Sequence, residues 1–171
     1  VNPLIFAVLG CALHAFSFGL DPMKDKGMEG IDTFQQDRVA RAVDEAEKHL
    51  TAMKDAILRA GDRRLETRVE TFQATVRDMF RTVEEDPRDL TAARKYLSVY
   101  LLGARDATIK FADIYARTRD TQARADYEQL LTDLEQNFAA RTRAMLLDDK
   151  SDLDVEIEVL RDRLQRDGIR P

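Results

Sequence analysis

The sequence predicts an all-α fold, an antiparallel coiled-coil-like bundle of about five helices behind an N-terminal transmembrane helix. Three observations lead there. Apolar residues recur at alternating steps of three and four through most of the chain, the period of a helix seam rather than of a strand. The 7 glycines and 4 prolines fall mainly in the first 30 residues or at apparent helix ends, and there is no Trp, a composition suited to long helices. From Val1 to Leu20 no side chain carries a formal charge.

That first stretch, at 1.5 Å per residue, reaches about 27 Å from Pro3 to Leu20, just enough to cross a bilayer. A signal peptide would begin with basic residues and end on small residues flanking a cleavage site, whereas this segment opens Val1-Asn2-Pro3 and closes Phe18-Gly19-Leu20. A buried core helix is the other rival. Lys24 and Lys26 follow the span and place the next domain in the cytoplasm by the positive-inside rule. The expected organisation is a transmembrane segment over residues 1–20, a linker over 21–31 and a cytoplasmic bundle over 32–171. Val1 in place of Met reads as an internal or alternative start, with further spans expected upstream. His14 and Cys11 within the span read as helix-contact residues rather than ligands.

The first soluble helix carries Val39, Val43, Ala46, Leu50, Met53 and Ile57 on its seam, with Asp32 and Gln35 as a capping box and Gly61 as a left-handed stop. The second, entered after Asp62, repeats the pattern through Leu65, Val69, Phe72, Val76, Met79 and Val83, and the short joint folds it back antiparallel. Asp86-Pro87 reads as an N-cap followed by Pro at the first helical position, where its missing N–H costs nothing. The third helix then presents Leu90, Ala93, Leu97, Tyr100, Ala104, Ala107, Phe111 and Ile114. The fourth, capped near Asp120, carries Tyr127, Leu131, Leu134, Phe138 and Met145, with Arg141 at a seam position. A fifth helix starts from a capping box at Ser151 and Asp154 and runs along Leu153, Ile157, Leu160 and Leu164.

Composition and motifs narrow the chemistry. Net charge is -5 and the 27 basic residues are dispersed among 32 acidic ones, so no footprint for nucleic acid is visible. Outside the apolar segment there is no Cys and a single His, His49, which excludes cysteine-based phosphate chemistry and offers no Ser-His-Asp order. A di-metal bundle would need two Glu-x-x-His pairs, and neither exists. A calcium loop counted from Asp148 would put Gly at its sixth position, where Leu153 stands. No cofactor and no metal site is expected. The most distinctive run is Tyr96 to Asp113. Its small residues suit a close helix contact, Asp106 and Lys110 are spaced for an i,i+4 pair, and Arg141 is placed to seek a carboxylate such as Asp113. Arg105, Asp106, Lys110 and Arg141 form a candidate polar network that sets bundle register.

This run, with Lys24 to Phe34, Asp86-Pro-Arg-Asp-Leu-Thr-Ala-Ala-Arg-Lys-Tyr-Leu97, Gly103-Ala-Arg-Asp-Ala-Thr108 and Asp152-Leu-Asp-Val-Glu-Ile-Glu-Val-Leu160, resembles the 5-bromo-4-chloroindolyl phosphate hydrolysis (XpaC-like) family of bacterial proteins. The resemblance offers no catalytic motif to carry over. It implies an envelope role and an association with toxic-anion resistance proteins of the TelA type.

The resulting expectation is a bacterial inner-membrane protein whose cytoplasmic bundle is a helical scaffold binding another helical protein, with homo-oligomers allowed. One alternative is a metal-assisted phosphomonoester hydrolase using Asp106 and Asp113 or the Asp148 to Glu158 stretch. The other is an anion-sensing bundle using Arg105 and Arg141.

Overall fold

The computed structural model describes residues 28–166, with side chains from residue 32 onward. The chain divides into residues 1–34 and residues 35–171, and the second unit is the bundle. The transmembrane span expected over 1–20 lies outside the described residues. Among those described, no helix is long and apolar enough to cross a membrane, and no strand occurs.

Among the described residues four helical rods make the fold. The first is α1 (Met28–Leu58) and the second α2 (Arg63–Glu85). A 3-10 turn (Pro87–Asp89) leads into the third, built of α3 (Leu90–Lys95), a π turn (Tyr96–Tyr100) and α4 (Leu101–Thr118). The fourth is α5 (Thr121–Arg166). Cross-rod bonds give the arrangement. Gln73 Nε2 donates to the Leu50 carbonyl at 2.7 Å and Arg77 pairs with Glu47, which sets α2 antiparallel to α1. Asp62 meets Arg124 and Arg68 meets Glu135, so α2 runs parallel to α5. His49 meets Arg105 and Arg59 meets Asp113, so α4 runs parallel to α1. Tyr96 packs on Phe138 and Phe111 stacks on Tyr127, so the third rod is antiparallel to α5.

The seams expected on α1 and α2 are buried throughout, from Val39 to Ile57 and from Leu65 to Val83. Their shared joint is built as the residues require. Gly61 adopts φ +62, a left-handed conformation that closes α1, and the Asp62 carboxylate accepts from the Arg64 and Leu65 amides to open α2. Asp86 and Asp120 cap in the same way, each accepting from the amide two residues on. Arg119, at φ 51, ends α4 and returns its guanidinium to the Ala60 carbonyl at 2.7 Å, tying the two joints at this end of the bundle together.

Four expectations need correction. The helix α1 is already under way at Met28, so Asp32 and Gln35 lie within it and do not open it. The described residues form four rods rather than five, because α5 is continuous over 46 residues. Nothing between Phe138 and Leu164 breaks a helix, and Ser151 and Asp154 have no helix start to cap. Gly103 is exposed with open space where a Cβ would stand, so it serves no close helix contact within the described residues.

The fourth correction is the phase of the third rod. After Leu97 the expected Ala104 and Phe111 are buried, but Leu101, Thr108 and Tyr115 turn inward in place of Tyr100 and Ala107, which are half-buried, and Ile114, which is 46% exposed. The π turn accommodates one residue more than an α-turn and rotates the following helix by that residue. Thr108 enters the core satisfied. Its hydroxyl donates to the Ala104 carbonyl at 2.7 Å and accepts from the Tyr127 hydroxyl at 2.8 Å.

Deleting Val99, an exposed residue of the π turn, is expected to restore regular α geometry with both flanking seams in register. The deletion variant should unfold cooperatively near the parent midpoint, whereas deleting Ile109 from the regular helix α4 should abolish the transition. Burial pushes the Asp62 carboxyl up, but the Arg64 and Leu65 amides and Arg124 outweigh it and hold the group below the ordinary carboxylate range. A depressed folded value contributes stability above the unfolded value and loses it as pH falls through the folded one. Asp62→Ala should therefore cost about 1–2 kcal/mol at neutral pH in urea titrations, and progressively less in acid.

Candidate functional site

A groove of about 370 Å³ runs between α1 and the third rod. On α1 it is lined by Arg38, Arg41, Ala42, Glu45 and His49, which recur at helical spacing and share one stripe. On the other side stand Leu90, Arg94, Leu97 and Ser98. Leu90 and Leu97 belong to the core and present an apolar floor, and the arginines form an exposed rim.

The rim is electrostatically unbalanced. Glu45 is drawn away to Lys48 at 2.6 Å. The Arg41 Nε donates to the Asp37 carbonyl, a neutral acceptor. Arg38 and Arg94 have no ion pair or hydrogen bond from their side chains among the described residues. Elsewhere in the bundle the arginines Arg59, Arg68, Arg77, Arg88 and Arg124 each meet a carboxylate. Three guanidinium groups over an apolar floor suit an anion carrying a flat hydrophobic group, because guanidinium binds phosphate or carboxylate oxygens in bidentate fashion.

His49 closes one end. Burial, together with the neighbouring Arg105 charge, holds its imidazole below the ordinary value. The Arg105 Nη1 lies 3.3 Å from Nδ1, and a guanidinium is always a donor, so Nδ1 accepts and the proton sits on Nε2. The neutral ring can then donate from Nε2.

The residues singled out from the sequence are placed differently. Arg105 does pair with Asp106, at 2.9 Å, and joins them to His49. Lys110 is exposed and forms no ion pair with Asp106 among the described residues. Arg141 donates to the Ala92 carbonyl at 3.2 Å, and Asp113 is taken by Arg59 at 3.2 Å. The four-residue polar network is thus one pair, Arg105 with Asp106, a separate contact of Arg141, and an exposed Lys110. Arg105 and the Ala92 anchor of Arg141 are about 20 Å apart along the rod, so the two arginines do not share a site. Asp106 and Asp113, two turns apart on the outer side of α4, are each about half exposed and engaged by their own arginine. The Asp148 to Glu158 stretch lies on the far part of α5, where all but Asp149 are exposed. Among the described residues no three His, Cys, Asp or Glu side chains group as a metal ion would require.

Sequence reasoning passed over Arg38, Arg41 and Arg94, yet a signal was present. At three and four residues either side of Arg38 stand Phe34, Gln35, Arg41 and Ala42, and around Arg94 stand Leu90, Thr91, Leu97 and Ser98. Neither arginine has a carboxylate at helical spacing, in a chain with 32 acidic residues.

An NMR titration of the His49 ring should give a midpoint below the ordinary histidine value, and Arg105→Gln should raise it by removing the adjacent positive charge. A midpoint unchanged by that substitution would remove Arg105 from the site.

No curated protein and no solved structure matches the chain significantly. A family model described as 5-bromo-4-chloroindolyl phosphate hydrolysis protein matches residues 3–160, so that the match runs through all four rods and includes every residue of the groove. With that match over nearly its whole length, the chain belongs to the 5-bromo-4-chloroindolyl phosphate hydrolysis protein family.

Proposed function

We propose that this protein is a helical binding module, attached to the cytoplasmic face of a bacterial inner membrane through residues 1–20, that holds an organic phosphate in the α1–α3 groove and presents its outer helix faces to a helical partner. The observation that carries the ligand is the pair Arg38 and Arg94, which form no ion pair among the described residues, standing with Arg41 over the Leu90 and Leu97 floor, while Glu45, the carboxylate in the lining, is taken by Lys48. A volume of about 370 Å³ suits a ligand of one or two fused rings. The family's description names an indolyl phosphate, a planar apolar ring bearing a dianion, which has the chemistry that rim and floor would recognise. The partner implied by the resemblance, a toxic-anion resistance protein of the TelA type, remains part of this reading, as does an envelope role.

The rival reading is hydrolysis of the same ester by a borrowed metal on Asp106 and Asp113. It is supported by the family description alone, since those carboxylates stand apart and each is neutralised by an arginine. Binding and turnover are separable. The full chain titrated with 5-bromo-4-chloroindolyl phosphate should bind without releasing product, and Arg38→Ala and Arg94→Ala should each weaken binding about tenfold, the worth of one charged hydrogen bond. Asp106→Asn with Asp113→Asn should leave the affinity unchanged. Turnover that falls in the Asn double variant would replace this reading with the hydrolase, and absence of binding would overturn the groove assignment.

A further inference from the structure

Among the described residues Met145 is the last buried residue of α5, and from Leu146 to Arg166 the helix continues about 30 Å beyond the core with no other described rod beside it. A solvated helix would be polar all round, but this one keeps a seam. Leu153, Ile157, Leu160 and Leu164 step by four, three and four along one side, and Leu153 and Leu160 are 54% and 57% exposed. The seam stops toward the bundle, where Lys150 takes the next position. The charges flanking it are segregated along the helix. Asp154 and Glu156 flank the half nearer the bundle, and Arg161 and Arg163 flank the tip.

We propose that this projecting half of α5 pairs with the same segment of a second copy, antiparallel, as a short two-stranded coiled coil. In antiparallel coiled coils the two seam positions alternate across each layer, and flanking residues meet their own kind on the partner helix. Leu153 then faces Leu164 and Ile157 faces Leu160, twice over by symmetry. That register brings Asp154 opposite Arg161 and Glu156 opposite Arg163, again twice, so all four flanking pairs attract.

Other arrangements are disfavoured by the same charges. Sliding the antiparallel pair by one heptad in one direction sets Arg161 against Arg161, and in the other direction sets Asp154 against Asp154 and Glu156 against Glu156. A parallel pair in register sets Asp149 against Asp154 and Glu156 against Arg161, so that repulsion and attraction offset each other where the antiparallel register has attraction alone, and it brings two bundles side by side at the same end. In the antiparallel pair the bundles lie at opposite ends, and the basic tip of each helix reaches the base of its partner's. That base is acidic. Asp89, Asp148 and Asp149 gather there beside the Asp86–Arg88 pair, and burial with the neighbouring carboxylates outweighs the Arg88 charge and raises the Asp89 carboxyl above its usual range. A basic tip would relieve that repulsion.

Disulfide trapping tests the register locally, in the full chain with Cys11→Ser so that only placed cysteines react. A Leu153→Cys chain mixed with a Leu164→Cys chain should cross-link to each other on air oxidation, and neither should cross-link to itself. Adding Asp154→Arg and Glu156→Arg to the first chain should slow the cross-link about tenfold or more, and adding Arg161→Glu and Arg163→Glu to the second should restore it, with the effect fading in high salt. Circular dichroism confirms that each variant keeps its helix content, and restoration by the second charge reversal shows that the first had not unfolded the chain. Self-cross-linking of Leu153→Cys would overturn the antiparallel register. The absence of any cross-link, or a cross-link indifferent to both reversals, would overturn the pairing and leave the seam to a different protein.

Discussion

One extra residue in the turn Tyr96–Tyr100 sets the phase of the bundle's third rod, and with it both the groove against α1 and the contact with α5. Ahead of and within the turn, Leu90, Ala93 and Leu97 face the core, and Leu90 and Leu97 also floor the groove. Behind it, Leu101, Thr108, Phe111 and Tyr115 face α5 and build the aromatic stack with Tyr127. The local cost of the π geometry is offset by burying both, and by the Tyr96 ring packing edge-on against Tyr100 and Phe138 at 4.9 and 5.2 Å.

The joint at the other end depends on charge as much as on packing. Asp62 caps α2, pairs with Arg124 of α5 at 2.5 Å and accepts from the Tyr115 hydroxyl of α4 at 3.3 Å. One carboxylate therefore orients three rods, and Arg119 adds the return from α4 to the end of α1. Arg68 has a similar role nearer the middle, gripping both oxygens of Glu135 at 2.8 Å from a half-buried position and also reaching Thr132. Several exposed arginines lie outside these hubs, and two of them, Arg38 and Arg94, line one groove. Arg38 and Arg94 contribute no stabilising contact among the described residues, which is why the groove they rim is better read as a place for a ligand than as part of the scaffold.

The proposed ligand site and the proposed self-pairing segment share one electrostatic origin. The half-buried arginines Arg68, Arg105 and Arg124 each meet a carboxylate, and Arg141 meets a carbonyl. At the exposed groove rim and along the projecting helix, charges outside such pairs are arranged in a pattern with a chemical complement: an anion on an aromatic ring in one case, and the chain's own antiparallel copy in the other.

Much of this architecture was legible from residue order alone. The step of three and four placed the seams of α1 and α2 in the core, because a straight α-helix keeps a constant phase and each seam is wide enough to tolerate small drift. Capping at Asp62, Asp86 and Asp120 and the stop at Gly61 follow from local backbone chemistry, which involves only neighbouring residues. The family could be recognised for the same reason, since it rests on residue order. The phase of the third rod, the continuity of α5 past Ser151 and the partners of Asp106, Asp113 and Arg141 could not be read that way. A π turn costs too little locally to leave a mark, an absent break is not a motif, and ion pairs between rods depend on which helices become neighbours. Tertiary packing decided those, and by deciding them it left Arg38, Arg41 and Arg94 together over one apolar floor.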